Sequence, residues 1–274
     1  LENGRSSPYA AFFDIDWAMG HYGPDGAFLR QEPGGRSTTY NPYELACSPS
    51  GHRAVINWDR SRREGGPTLG FHVATARLRI LGPDGEVRAD LGERIGSERV
   101  GRPTGSGPHP AGRATRLAFH GDGLVVADGS FFGFERWTLD GRLREIVRVD
   151  VAPPDLDSLM AAYRDSTLAR AGDEETRRRR EREIAEMEGP EEATHVSALL
   201  VRDGRVLVRD PSIGRSGRWF AFTADGAPLG FLPVPEGARL LDLRGDRVLV
   251  EERDALDVPQ AVLYSLDGWG GGPD

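Results

Sequence analysis

The chain has 274 residues and a net charge of −8, and all 35 of its basic side chains are arginine. That length suits one large all-β domain or two ordinary ones, and no apolar run approaches the roughly 18 residues that a helical membrane span needs. The negative balance argues against a nucleic-acid surface, and the lack of lysine removes Schiff-base and P-loop lysine chemistry.

The first elements announce a repeat. "HYGPDGAFLR" and "LRILGPDGEVRADL" set alternating runs on either side of an Asp-Gly, and "FERWTLDGRLREIVRV", "WFAFTADGAPLGFL" and "AVLYSLDG" repeat the phrase further on. Alternation with a period of two marks a strand with one covered face. Asp-Gly supplies the positive φ of a tight hairpin turn at little steric cost. Each phrase therefore predicts an antiparallel hairpin.

The turn glycines Gly26, Gly85, Gly141, Gly226 and Gly268 are 59, 56, 85 and 42 residues apart. Two further candidate strands precede the later hairpins: "ATRLAFHG" and "GLVVADG", "THVSALLVRDG" and "RVLVRD", "ARLLDLRGD" and "RVLVEER". Four strands per unit at a spacing of about 40 to 60 residues predict β-propeller blades. A sandwich or barrel with coincidental Asp-Gly turns is the competing architecture. It gives no reason for the turn to fall between the last two strands every time.

One segment breaks the pattern. Residues 151–194 open with two prolines and a capping candidate, Asp155, then place Leu156, Leu159, Met160 and Tyr163 along one helical stripe. Gly172 ends that helix. "DEETRRRREREIAEME" begins a second one, with acids at its positive end and several Glu–Arg pairs four residues apart. The expectation is a helical hairpin across one blade, burying Leu156, Met160 and Tyr163, with its arginine run neutralised by neighbouring acids.

"PAGRATRLAFHGDGLVVADGSFFGFERWTLDGRLREIVRV" and "SGRWFAFTADGAPLGFLPVPEGARLLDLRGDRVLVEERDALDVPQAVLYSL" resemble bacterial six-bladed β-propeller proteins related to the NHL-repeat propellers. The similarity spans residues 111–267 well and the first hundred more loosely. It implies an exported or membrane-tethered protein, periplasmic or otherwise outside the cytoplasm, of a group largely without assigned activity. Five hairpins are visible where six blades are implied. The expectation is thus a single propeller domain over 1–274, with the insertion at 151–194 and a further blade ahead of Leu1, in a processed or truncated product. A five-bladed ring is the alternative.

The fold type implies ligands on one face, near the exits of each blade's second strand. Those exits carry Asp16, Asp59, Asp128, Asp210 and Glu252, with Asn57 beside Asp59 and the rings of Trp58, Phe131 and Trp219 nearby. Acids at one phase of a repeat have two readings. They are turn formers bonding local N–H groups, or they converge as oxygen ligands for Ca²⁺, Asp16, Asp59 and Asp128 foremost. The second reading is similar to the calcium-dependent gluconolactonase and paraoxonase propellers. Arg209 and Arg253 favour the first by offering salt-bridge partners.

Other chemistry finds little support. The six histidines show no zinc spacing, no Gly-x-Ser-x-Gly elbow exists, and "GRPTGSGPHP" reads as a long flexible loop. "LRGDRV" reads as a hairpin turn, and Cys47 stands alone, so no intrachain disulfide forms. The expected protein is a non-enzymatic binding or interaction module without a cofactor. Its partner is an unidentified small molecule or protein and not nucleic acid. A calcium-dependent lactonase or esterase is the alternative.

Overall fold

The computed structural model describes residues 18–22, 28–33, 40–59, 68–102, 105–152, 154–211, 217–232, 234–235, 238–254, 256 and 258–266, with side-chain surroundings from Ala46 onward, Trp58 and Asp59 apart. The turn positions Gly26 and Gly268 and the candidate Asp16 lie outside the described residues. The chain forms two compact units, 1–41 and 42–274. In the smaller, β1 (Ala18–Tyr22) pairs antiparallel with β2 (Phe28–Pro33).

The larger unit is a series of antiparallel meanders, each sheet following the last along the chain. The first sheet contains β3 (Tyr40–Cys47), β4 (Arg53–Asp59), β5 (Gly70–Leu81), β6 (Val87–Arg102) and β7 (Gly105–Pro108). The second has β8 (Arg116–His120), β9 (Gly123–Ala127), β10 (Gly133–Thr138) and β11 (Leu143–Arg148). Next come β12 (Ala198–Arg202), β13 (Arg205–Arg209), β14 (Trp219–Phe222) and β15 (Pro228–Leu232). The fourth sheet comprises β16 (Arg239–Arg244), β17 (Arg247–Arg253) and β18 (Pro259–Ser265). Sequential order is kept within every sheet, as in propeller blades.

What makes these sheets blades is that they share cores face to face. Leu124 and Val126 of β9 pack with Ile56, Leu78 and Ile80 of the first sheet. Val125 and Ala127, on the other face of the same strand, pack with Val206, Val208 and Phe222 of the third. Leu207 of β13 then turns to Leu240, Val248 and Val250 of the fourth. A strand buried on both faces must be apolar at successive positions, which is why "GLVVA" and "RVLVR" read as unbroken hydrophobic runs. Each such side chain contributes about 1.5–3 kcal/mol of transfer free energy. The first strands also neighbour one another: β8 lies beside β12, and β12 beside β16. The architecture is that of a β-propeller.

The recurring Asp-Gly now has a physical cause. Gly85, Gly141 and Gly226 adopt φ of +85°, +83° and +84°. Each closes its turn with the same pair of bonds, such as the Gly141 N–H to the Thr138 carbonyl and the Thr138 N–H to the Arg142 carbonyl. The second cause is contact with the preceding sheet. A Cβ on Gly141 would stand 2.7 Å from Ala89 Cβ of β6, and one on Gly226 would stand 2.6 Å from Val147 Cγ2 of β11. Turn geometry and blade packing select the same residue.

Several expectations need correction. β10 does not have one covered face: Phe134 is fully buried toward the third sheet, while Trp137 packs against the core shared with the first. "GRPTGSGPHP" is not simply a flexible loop, because Gly105–Pro108 adds a fifth strand to β6. Arg99 secures it, its guanidinium donating to the Ser106 hydroxyl at 3.0 Å and to the Ser106 carbonyl. The "LRGDRV" turn forms as expected, with Gly245 at φ +56°.

The insertion supplies α1 (Leu156–Ala169) and α2 (Glu174–Ala185). Asp155 and Asp173 cap them, accepting from the Ser158 and Thr176 N–H groups. The hairpin is tied by Arg164 to Glu181 at 2.8 Å and by the Arg180 guanidinium to the Thr167 carbonyl at 2.9 Å. Leu156, Met160 and Tyr163 are only half-buried, and neither helix holds a fully buried residue. Helix-to-helix pairing covers the stripe incompletely because the polar α2 has few apolar side chains to offer.

Candidate functional site

The second strands β4, β9, β13 and β17 bring Asp59, Asp128, Asp210 and Glu252 to equivalent ends of successive sheets. Topological equivalence is thus real for all four. What each described side chain does there is local.

Asp128 follows β9 and accepts the Ser130 N–H at 2.9 Å, an Asx-type turn. Gly129 comes next at φ +81°, set against the Thr194 hydroxyl, and its carbonyl accepts the His195 N–H at 2.9 Å. Phe131 is half-buried, with the Arg148 guanidinium 5.8 Å from its ring centroid.

Asp210 uses both carboxylate oxygens on one residue. The Arg218 N–H donates to Oδ1 at 2.7 Å and Arg218 Nε to Oδ2 at 3.0 Å. The same guanidinium lies 4.4 Å from the Phe231 ring centroid. Trp219, next in the chain, is 8% exposed and belongs to the core shared by the third and fourth sheets, so it packs blades rather than presenting its ring on an open face.

Glu252 accepts the Tyr264 hydroxyl at 2.8 Å, and that bond to an anionic acceptor raises the Tyr264 phenol above its ordinary range. The loop beyond β17 is organised instead by Asp254, which accepts the Val258 and Leu256 N–H groups and the Gln260 amide. Those bonds, the backbone ones first, hold its pKa below the usual carboxylate value. At the β4 exit, Asn57 Oδ1 is buried with no hydrogen-bond partner among the described residues. The Trp58 and Asp59 side chains lie outside the described residues. Among the described residues, no group of three or more His, Cys, Asp and Glu side chains forms a potential metal site.

A second polar cluster escaped sequence reasoning. Glu98 in β6 is 1% exposed, yet its carboxylate accepts the Arg113 N–H, Arg113 Nε and Arg113 Nη2 at 2.7, 2.7 and 2.6 Å. His109, 4% exposed, lies in the same loop and accepts the Ala111 N–H at Nδ1. Nothing in local spacing pairs Glu98 with Arg113; only the return of the loop onto β6 does so. "GPHPAGR" offered one weak signal, a histidine held between prolines.

No protein-family model matches the chain, and neither does any curated protein sequence. Solved structures do. The chain is similar to the computationally designed Ika4 protein at 10% identity and a TM-score of 0.37, over 85% of this chain and 94% of that one. A prolyl endopeptidase is similar at 11% identity and a TM-score of 0.44 over 86% of this chain, which spans only 27% of the endopeptidase. A luciferin-regenerating enzyme is similar at 10% identity and a TM-score of 0.40, over 87% of this chain and 66% of that one.

Proposed function

We propose that the protein is a non-enzymatic propeller module presenting a binding surface for a small molecule or a protein, outside the cytoplasm. The single observation that carries this reading is the local engagement of the exit acids: Asp128 on Ser130, Asp210 on Arg218, Glu252 on Tyr264. Carboxylates held in this way shape loops, and pre-shaped loops on a rigid scaffold suit recognition because little ordering entropy remains to be lost on binding. The extracytoplasmic placement, the six-bladed NHL-like kinship and the bacterial source rest on the resemblance of residues 111–267. Purified protein should leave a panel of lactones and aryl esters intact, with or without calcium, while a thermal-shift screen of metabolites and peptides yields a stabilising ligand. Calcium-dependent turnover would replace this reading.

One observation favours a calcium-dependent hydrolase instead: the buried Asn57 Oδ1 at the β4 exit, which has no hydrogen-bond partner among the described residues. Calcium takes six to eight oxygen ligands, and Asn57 with the exit carboxylates of the larger unit, Asp59 and Asp128, would supply the first of them. Bound there, the ion would act as a Lewis acid on an ester or lactone carbonyl.

A further inference from the structure

The segment returning from α2 to β12 is the most deeply set part of the insertion. Ala193, Thr194 and Val196 are 2%, 4% and 3% exposed, whereas the helices they follow contain no buried residue. This return segment is fastened to the first sheet and its loop. Glu183, in the last turn of α2, pairs with Arg102 at the end of β6 at 3.0 Å, and in the return segment itself Glu188 accepts the Phe71 N–H of β5 at 3.2 Å. The Thr194 N–H donates to the Ala111 carbonyl at 2.9 Å. Between these points Gly189 lies on the imidazole of His109, where a Cβ would come within 2.9 Å of Nε2.

His109 is therefore the surface on which the insertion is seated. Its Nδ1 accepts the Ala111 N–H at 3.2 Å, which requires the neutral ring with its proton on Nε2. A proton on Nδ1 would confront that N–H directly, two atoms from the carbonyl that holds Thr194. Burial already disfavours the charged ring, the larger influence on it, while the Glu98 carboxylate opposes burial. Glu98 is engaged by Arg113 through both oxygens, which limits what it can offer a second cation. From β5 the Phe71 ring meets the imidazole at a centroid distance of 5.9 Å, and Glu188, next to Gly189 in sequence, accepts the Phe71 N–H.

We infer that residues 186–196 form an acid-sensitive latch: neutral His109 seats the return segment, and its protonation releases the helical hairpin from the first sheet. The direction follows from linkage. A histidine whose proton affinity is lower in the docked state binds protons better once undocked. Docking is then at full strength above the ordinary histidine range, about 6.5, and weakens as pH falls through it toward the lowered docked value.

Hydrogen exchange on the intact chain reads this directly. Between about pH 7.5 and pH 5, and after correction for intrinsic rates, amides of residues 186–196 should exchange ~10-fold faster or more, while β9 and β13 stay protected. His109→Gln keeps an acceptor but does not titrate, so its pH response should shrink to less than about twofold. Wild-type exchange that ignores pH, or an undiminished response in His109→Gln, overturns the latch. Should His109→Gln fail to fold, the wild-type imidazole titration followed by NMR decides. Coincidence of the His109 midpoint with the exchange midpoint supports the latch, and opening that tracks another group sinks it.

Discussion

Gly226, at the last turn of the third sheet, stands against Val147 in the outer strand of the second, with room for hydrogen but not for carbon: a Cβ there would meet Val147 Cγ2 at 2.6 Å. Gly141 repeats the relationship with Ala89 one sheet earlier. Gly204, in the turn between β12 and β13, shares the left-handed φ at +68° but has nothing within 4 Å of its absent Cβ. Gly204→Ala should therefore cost about 1 kcal/mol from backbone strain alone. Gly226→Ala should cost roughly 2–3 kcal/mol because a steric term is added. Urea unfolding measures both. In a Val147→Ala background the excess cost at Gly226 should shrink, and a cycle that closes with zero coupling would dismiss the contact.

The Glu98–Arg113 pair makes a prediction of a different kind. Removing one partner from a buried ion pair strands the other, typically at 3–5 kcal/mol, but Arg113 is a third exposed and water will compensate in part. Glu98→Gln should then destabilise the protein by roughly 2–3 kcal/mol. A denaturation midpoint indistinguishable from wild type would show the pair to be expendable.

Phe134 and Phe222 meet edge to face at 5.1 Å between the second and third sheets, both fully buried. Phe134→Ala should cost about 3–5 kcal/mol by emptying that core. Leu143, on the adjacent outer strand and 45% exposed, is the matched control. Leu143→Ser should change stability by less than about 0.5 kcal/mol, as surface substitutions usually do.

Acid should weaken the fold through its loops. The Thr138 hydroxyl, ahead of Arg142, holds the Asp140 carboxyl below the usual range, and Thr223 does the same for Asp225. For Asp254 the leading cause is the Val258 N–H. A carboxylate with a depressed folded value contributes stability above its unfolded value, near 3.9, and loses it as pH falls through the folded value. Thermal midpoints should decline below about pH 4, and Asp254→Asn should show a smaller decline than wild type.

Calcium offers the sharpest check on the role of the exit acids. With Asp128, Asp210 and Glu252 engaged by local donors, calcium or a chelator should leave the thermal midpoint unchanged. A ligand at 100 times its dissociation constant would add about 2.7 kcal/mol. A rise of that order, abolished in Asp59→Asn, would favour the hydrolase.

How far the sequence could be read depended on the range of the interaction. The Asp-Gly turns were legible because Thr138, Asp140 and Gly141 solve their geometry within a few residues. The apolar runs of β9 and β13 stand plainly in the sequence, but alternation credits β10 with one covered face: Phe134 and Trp137 fall on opposite faces, and only the neighbouring sheets cover both. Sequence likewise leaves Trp219 between a ligand face and blade packing, and its neighbours Ala221 and Leu232 belong to a core. Glu98 finds Arg113 across 15 residues, and His109 meets Gly189 across 80. No periodicity encodes such encounters, since they arise from where the loops return.

The insertion leaves the second sheet after β11 and rejoins the third before β12, at a point where the chain passes from one sheet to the next. Among the described residues, no strand pairing crosses that point. Forty-odd extra residues could enter without re-registering any strand, whereas the same addition inside β9 or β13 would disturb two cores at once. The junctions between sheets are thus the places where such a molecule can acquire new parts while its older ones keep their shape.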